Sequence, residues 1–219
     1  MIKLIILDFD GTLGDTRANI VLTMRQTLKR LGYPELDEET IAATIGLPLE
    51  KGFEQLLPNL TAAETAVCAK TYRSLFEENR KILVPKAFPH VRETLASLRD
   101  AGYVLTIASS RSSKSLNEFL QEMGIAPYVS YVLGANMVTH AKPHPEPVLK
   151  TMAELGFTPE ETLVVGDMPV DVQMGAGAGA RTCGVTYGIA SRADLIDAGA
   201  DDLIDDFAEL LLHLHSETT

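Results

Sequence analysis

Asp8 and Asp10, one residue apart in the run Asp8-Phe9-Asp10-Gly11-Thr12, are the residues of this sequence best placed to do chemistry. They follow directly on the aliphatic stretch Lys3 to Leu7, so both carboxylates stand where a buried strand ends and backbone amides come free. Gly166-Asp167 offers a third carboxylate at another strand end, and Asp171 follows in the same loop. Bringing such groups within about 4 Å costs several kcal/mol per pair at an effective dielectric near 20. A cluster that stays ionised therefore calls for a divalent cation, and hard oxygen ligands favour magnesium. Residue preferences alone also allow a turn or a helix cap at Asp8 to Thr12. Two further residues sharpen the pattern. Ser109 follows the apolar run ending in Ala108, where a hydroxyl and the next amides can donate to phosphate oxygens. Lys142, fixed by Pro143 behind it, brings a compact positive charge.

The elements that must position these groups read as an α/β protein. Apolar strands are expected at Lys3 to Phe9, Tyr103 to Ala108, Thr162 to Gly166 and Arg181 to Thr186, separated by helices that close at Gly102 and Gly156. That alternation predicts a Rossmann-like doubly wound parallel sheet with its ligands at the strand C-termini. From Thr16 to about Lys81 the pattern is helical throughout. Ile20, Met24, Leu28 and Leu31 share one face before Gly32, and a capping box at Thr61 and Glu64 starts a long later helix. Between them lies the apolar turn Ile45-Gly46-Leu47-Pro48-Leu49, expected to come down over the site. The division predicted is a core of residues 1–14 and 85–219 with an all-helical cap of residues 15–84 inserted after the first strand. Gly175 to Ala180 reads as a helix packed closely on the sheet and not as a nucleotide loop.

Four phrases occur in a fixed order: DFDGT at Asp8, IASS at Ser109, AKPHPEP at Lys142 and GDMPVD at Asp167. In this the sequence resembles the haloacid dehalogenase-type phosphatases, over the whole chain, and within them it is most similar to phosphoglycolate phosphatases. The resemblance implies magnesium-dependent hydrolysis of a small phosphorylated metabolite through an aspartyl phosphate. It makes Asp8 the nucleophile, Asp10 the general acid and then base, and Thr12 a support for Asp10 within the phosphate-binding loop. It gives Ser109 and Lys142 the transferring phosphoryl group, and it gives magnesium Asp8, the main-chain carbonyl of Asp10, and Asp167. Asp171 would orient a metal-bound water or Lys142. A carboxylate nucleophile needs no deprotonation near neutral pH, and a loose phosphoryl transition state needs cations and amides around it, which agrees with this set. Gly14 stands where a bulky residue is expected and would loosen the hinge to the cap.

The competing readings are a sugar-phosphate mutase of the β-phosphoglucomutase kind, an inorganic pyrophosphatase on the same site, a dehalogenase and a non-catalytic module. The mutase is disfavoured because Arg17 to Ile20 lacks a histidine, and the dehalogenase because Asp10 is present. The non-catalytic module is disfavoured because Asp8, Asp10 and Asp167 are all retained. A net charge of -11 argues against nucleic acid and anionic membranes as partners. No apolar run reaches the length of a membrane span, and Cys68 and Cys183 form no framework, so a cytoplasmic protein without a signal peptide is expected. His140 and His144 are four residues apart, but Pro143 and Pro145 exclude a helix there, so no transition-metal pair is expected. Arg111 and Lys51 are candidates to contact substrate, but surface exposure is the expectation for each.

Overall fold

A computed structural model describes residues 1–216. Its centre is a six-stranded parallel sheet in the order β5-β4-β1-β6-β7-β8, formed by β1 (Leu4–Leu7), β4 (Val104–Ser109), β5 (Tyr131–Gly134), β6 (Thr162–Gly166), β7 (Arg181–Val185) and β8 (Asp202–Ile204). All four residues of β1 are buried, as a strand with a neighbour on each edge and helices on each face requires. Its side chains alternate between two apolar layers. Leu4 and Ile6 join Val148 and Met152 of α7 (Glu146–Leu155) and Met174 of α8 (Pro169–Gly177). Ile5 and Leu7 join Leu95 and Leu98 of α5 (Val91–Asp100), Phe119 of α6 (Ser113–Glu122) and Leu210 of α10 (Glu209–Ser216). Each such side chain contributes roughly 1.5–3 kcal/mol of burial.

The four strands expected from sequence are present, with β4 extending one residue further, through Ser109. The Gly175 to Ala180 run closes α8 and packs as expected: a Cβ on Gly175 would lie 2.7 Å from Thr182 Cγ2 and 2.9 Å from Val164 Cβ.

Between β1 and α5 the chain makes a two-stranded antiparallel pair, β2 (Gly14–Asp15) with β3 (Lys86–Ala87), which brings together the two ends of a helical segment. That segment holds α1 (Arg17–Arg30), α2 (Glu38–Ala42), α3 (Leu49–Leu56) and α4 (Ala62–Asn79). Gly32 takes φ +77 just beyond α1, and Thr61 with Glu64 forms the capping box of α4. Aromatic rings run from α3 to the end of β1 in contact order Phe53, Tyr72, Phe76, Phe119, Phe9, so the helical segment and the sheet share one apolar seam. Arg80, past the end of α4, reinforces it by pairing with Glu118 and Glu122 of α6 and lying over the Phe119 ring. At Gly14 the backbone passes close to the Phe9 ring. A Cβ there would lie 3.1 Å from the Phe9 ring, so the small residue permits a close contact.

Candidate active site

The sheet order reverses at β1. Strands β4 and β6, which flank it, are each reached by a crossover, and the crevice beyond their C-terminal ends is where open α/β sheets hold ligands. Leu7, Ser109 and Gly166 end or nearly end these three strands, which sets Asp8, Ser109 and Asp167 around one crevice. Lys142 enters from the loop before α7, and Asp171 from the first turn of α8.

Lys142 is the hub. Its ammonium donates to Asp8 Oδ1 at 2.5 Å and to Asp171 Oδ1 at 2.5 Å, and all three side chains are buried. Asp171 Oδ2 accepts from the Met168 amide at 3.1 Å, so both of its oxygens are engaged. Asp8 Oδ2 is buried without a hydrogen-bond partner among the described residues. Asp8, Asp167 and Asp171 each present an oxygen within 4.8 Å of the others. Burial, reinforced by Asp171, pushes the Asp8 carboxyl up to about 7 against the pull of Lys142. Burial and the Asp8 charge raise Asp167 well above the ordinary carboxylate range. Burial works against the Lys142 ammonium, but Asp171 and Asp8 outweigh it and hold its pKa up. The unpartnered oxygen and the raised carboxyls mark a site short of positive charge, and its oxygen donors fit a hard divalent cation.

Asp10 is held differently. Its Oδ1 accepts from Thr16 Oγ1 at 2.5 Å, and its Oδ2 from Arg111 Nε at 2.6 Å. The expected support of Asp10 by Thr12 is therefore corrected: Thr12 Oγ1 donates to Asp167 Oδ1 at 3.1 Å. Gly11, at φ +88, turns the chain so that Thr12 faces Asp167, and the first turn of the helical segment supplies Thr16 to Asp10 instead. Arg111 is also corrected. It is not a surface residue: its guanidinium lies over Phe76 of α4 and Phe119 of α6 as well as against Asp10. Lys51 is exposed and pairs with Glu54.

Ser109 is buried, and its Oγ accepts from the Arg111 amide at 3.3 Å. The turn from Ile45 to Leu49 meets the crevice. The Gly46 carbonyl accepts from Ser110 Oγ at 2.6 Å, and a Cβ on Gly46 would lie 3.4 Å from Met168 Cγ. Under it remains a cavity of about 1640 Å³ whose walls include Asp10, Arg111, Lys142, Leu47, Leu49 and Phe76.

Sequence reasoning missed the segment from Tyr187 to Ile189. The Ile189 amide donates to Asp167 Oδ2 at 2.8 Å, the Tyr187 hydroxyl donates to the Thr12 carbonyl at 2.8 Å, and a Cβ on Gly188 would strike Asp167. The glycine after the β7 run was the only signal of a close backbone approach. The loop holding His140 and His144 brings their rings into a stack at 4.5 Å without a helix, and Glu146 accepts from the His140 amide at 2.8 Å.

Residues 5–185 match the family model of the haloacid dehalogenase-like hydrolases. The chain is 39% identical over 221 residues to "Probable phosphatase IndB" of Dickeya dadantii, covering 99% of this chain and 95% of that one. It is 30% identical to a phosphoglycolate phosphatase of Haemophilus influenzae (95% and 96% covered) and 32% identical to the pyrophosphatase PpaX of Anoxybacillus flavithermus (96% and 95%). Among solved structures, a haloacid dehalogenase-like family hydrolase from Streptococcus pneumoniae superposes with a TM-score of 0.85 at 25% identity, covering 97% of this chain and 98% of that one. Carboxylates gathered at the switch point of a parallel sheet, and relatives matched along nearly their whole length, lead to one assignment: the chain belongs to the haloacid dehalogenase-like hydrolases and is a phosphatase-type enzyme of that family.

Proposed function

We propose that the protein is a magnesium-dependent phosphatase that hydrolyses a small phosphate monoester of the phosphoglycolate type through an aspartyl phosphate on Asp8. The observation that carries this reading is the buried Asp8 carboxylate, with one oxygen on Lys142 and the other unpartnered. A nucleophile requires such a free oxygen, held in place and dry. Asp8, the Asp10 carbonyl and Asp167 are the groups to hold magnesium, while Asp171, with one oxygen on Lys142 and the other on the Met168 amide, is placed to fix the lysine. When bound, the ion supplies positive charge against the phosphoryl oxygens and relieves the repulsion among the carboxylates.

The protein's own groups account for the rest. Ser109 and Lys142 bind the phosphoryl group, Lys142 also orienting Asp8, with Asp171 fixing the lysine. Asp10, held on Thr16 and Arg111, gives a proton to the leaving oxygen and later takes one from water. Residues 15–84 act as the cap, with the Ile45 to Leu49 turn excluding water and touching the leaving group. Among the described residues no helix is long and apolar enough to cross a membrane.

The test is phosphate release by purified protein with magnesium over a panel of phosphate esters, a hexose 1-phosphate and pyrophosphate, with acid quenching to trap acyl phosphate. Magnesium-dependent release from a monoester, with label on Asp8, is the expected result. Release in excess chelator, isomerisation of the hexose phosphate, or a preference for pyrophosphate would each replace this reading.

A further inference from the structure

Two donors in the cavity have no role in holding the phosphoryl group. Arg111 uses Nε on Asp10, and none of its other four N–H groups meets a protein acceptor among the described residues, although the guanidinium is fixed between two rings beside the cavity. Tyr72, on α4, is only 8% exposed and its ring is held by Phe53 and Phe76, yet its hydroxyl has no hydrogen-bond partner among the described residues. It too lines the cavity, close enough to Arg111 and Asp10 for each to act on its ionisation. A hydroxyl that opens onto the cavity is free to donate to a ligand held there.

The position of these donors limits what they can read. If Asp10 is the acid, its carboxyl lies within hydrogen-bond reach of the ester oxygen, so the Arg111 fork beside it lies near the first carbons of the leaving group. A carboxylate on the carbon that bears the ester oxygen suits a planar fork and a phenol donor. The rest of the cavity is far larger than a two-carbon acid. Even with Gly46 bonded to Ser110 and Arg80 clasped by α6, it holds about 1640 Å³, above the roughly 300–1,000 Å³ of drug-sized pockets. Its lining includes the apolar side chains of Phe76, Met24 and Ile20, with charged residues such as Glu50, Arg73 and Glu77 elsewhere on the wall.

We propose that Arg111 and Tyr72 form a carboxylate-reading pair, and that the preferred substrate is a 2-phosphooxy acid whose α-carbon carries an apolar body lodged against Phe76, Met24 and Ile20. This rests on the phosphatase reading and specifies its leaving group.

Four esters separate the two features: ethyl phosphate has neither, phosphoglycolate has the acid, 2-phenylethyl phosphate has the body, and 2-phosphooxy-3-phenylpropanoate has both. With magnesium present, kcat/KM for the last should exceed that for phosphoglycolate at least tenfold, as expected for burying an aryl group. In Tyr72→Phe, which keeps the ring, the ratio of kcat/KM for 2-phosphooxy-3-phenylpropanoate to that for 2-phenylethyl phosphate should fall about tenfold, the effect of one hydrogen bond to a charged group. A thermal midpoint close to wild type verifies that this variant is folded. Equal kcat/KM for the two acids, or an unchanged ratio in Tyr72→Phe, overturns this inference and leaves the phosphatase reading standing. Phosphate release from none of the four overturns both.

Discussion

Replacing Lys142 with methionine should expose the electrostatic cost on which the site is built. The lysine is buried between Asp8 and Asp171 at 2.5 Å from each, and the oxygens of Asp8, Asp167 and Asp171 lie within 4.8 Å of one another. At an effective dielectric near 20, two unit charges at that separation repel by about 3.5 kcal/mol. Removing one partner of a buried pair typically costs about 3–5 kcal/mol, because the other charge stays behind. Metal-free Lys142→Met should therefore lose about 3–5 kcal/mol of unfolding free energy at about pH 8, measured by urea denaturation. The loss should shrink near pH 5.5, where Asp8, already raised to about 7 by burial, is protonated and only Asp171 is left unpaired. Magnesium should narrow the gap at the higher pH. A variant within about 1 kcal/mol of wild type at pH 8, against the expected loss, would refute the reasoning. A gap of the same size at both pH values would show that packing, not charge, sets the cost.

Asp8→Asn should lower turnover by at least about 10²-fold while the fold is kept, because the amide is isosteric but a poor nucleophile; circular dichroism and phosphate release check both halves. The raised Asp8 carboxyl also fixes a sign. Its contribution to stability is fully present below the unfolded value near 3.8 and is lost as pH rises through about 7, so magnesium should raise the thermal midpoint more near pH 8 than near pH 5. Equal shifts at both would contradict it. Gly175→Ala should cost about 1–3 kcal/mol in thermal unfolding, since its Cβ would press on Thr182 and Val164 between α8 and the sheet. Replacing Leu47 and Leu49 by serine should reorder kcat/KM across the ester panel, and an unchanged ranking would remove the turn from leaving-group contact.

What the sequence made legible follows from how local each cause is. β1 and β6 are apolar runs ending in an acidic residue or in glycine before one, and the Thr61–Glu64 box spells out the start of α4, so these elements are written in adjacent residues. The edge strands β5 and β8 have only four and three residues, too short for a period to register. The identities of the clustered carboxylates were also legible, because strand ends in a parallel sheet converge. Their partners were not. Whether Thr12 or Thr16 meets Asp10 depends on the turn at Gly11, and Arg111 is drawn in from the surface where Phe76, from a helix far away in the chain, lies against its guanidinium. The Tyr187 to Ile189 segment reaches Asp167 through a backbone amide, which any residue type but proline could donate.

The same contacts explain why the carboxylates stay together when repulsion would part them. Glycines stand where a side chain would separate them: a Cβ on Gly11 would lie 2.1 Å from Asp167 Oδ2, one on Gly166 2.3 Å from Asp171 Cβ, and one on Gly188 2.3 Å from Asp167 Cβ. Backbone therefore closes on Asp167 from two sides and on Asp171 from a third, and the packed layers of β1 and β6 leave the strand ends no room to spread. Burial, together with a repulsion that cannot relax by movement, holds the carboxyl pKa values of Asp8 and Asp167 up. A site strained in this way is relieved by added positive charge in that crevice, which is why the stability of the metal-free protein and its affinity for a divalent cation should move in opposite directions as carboxylates are removed.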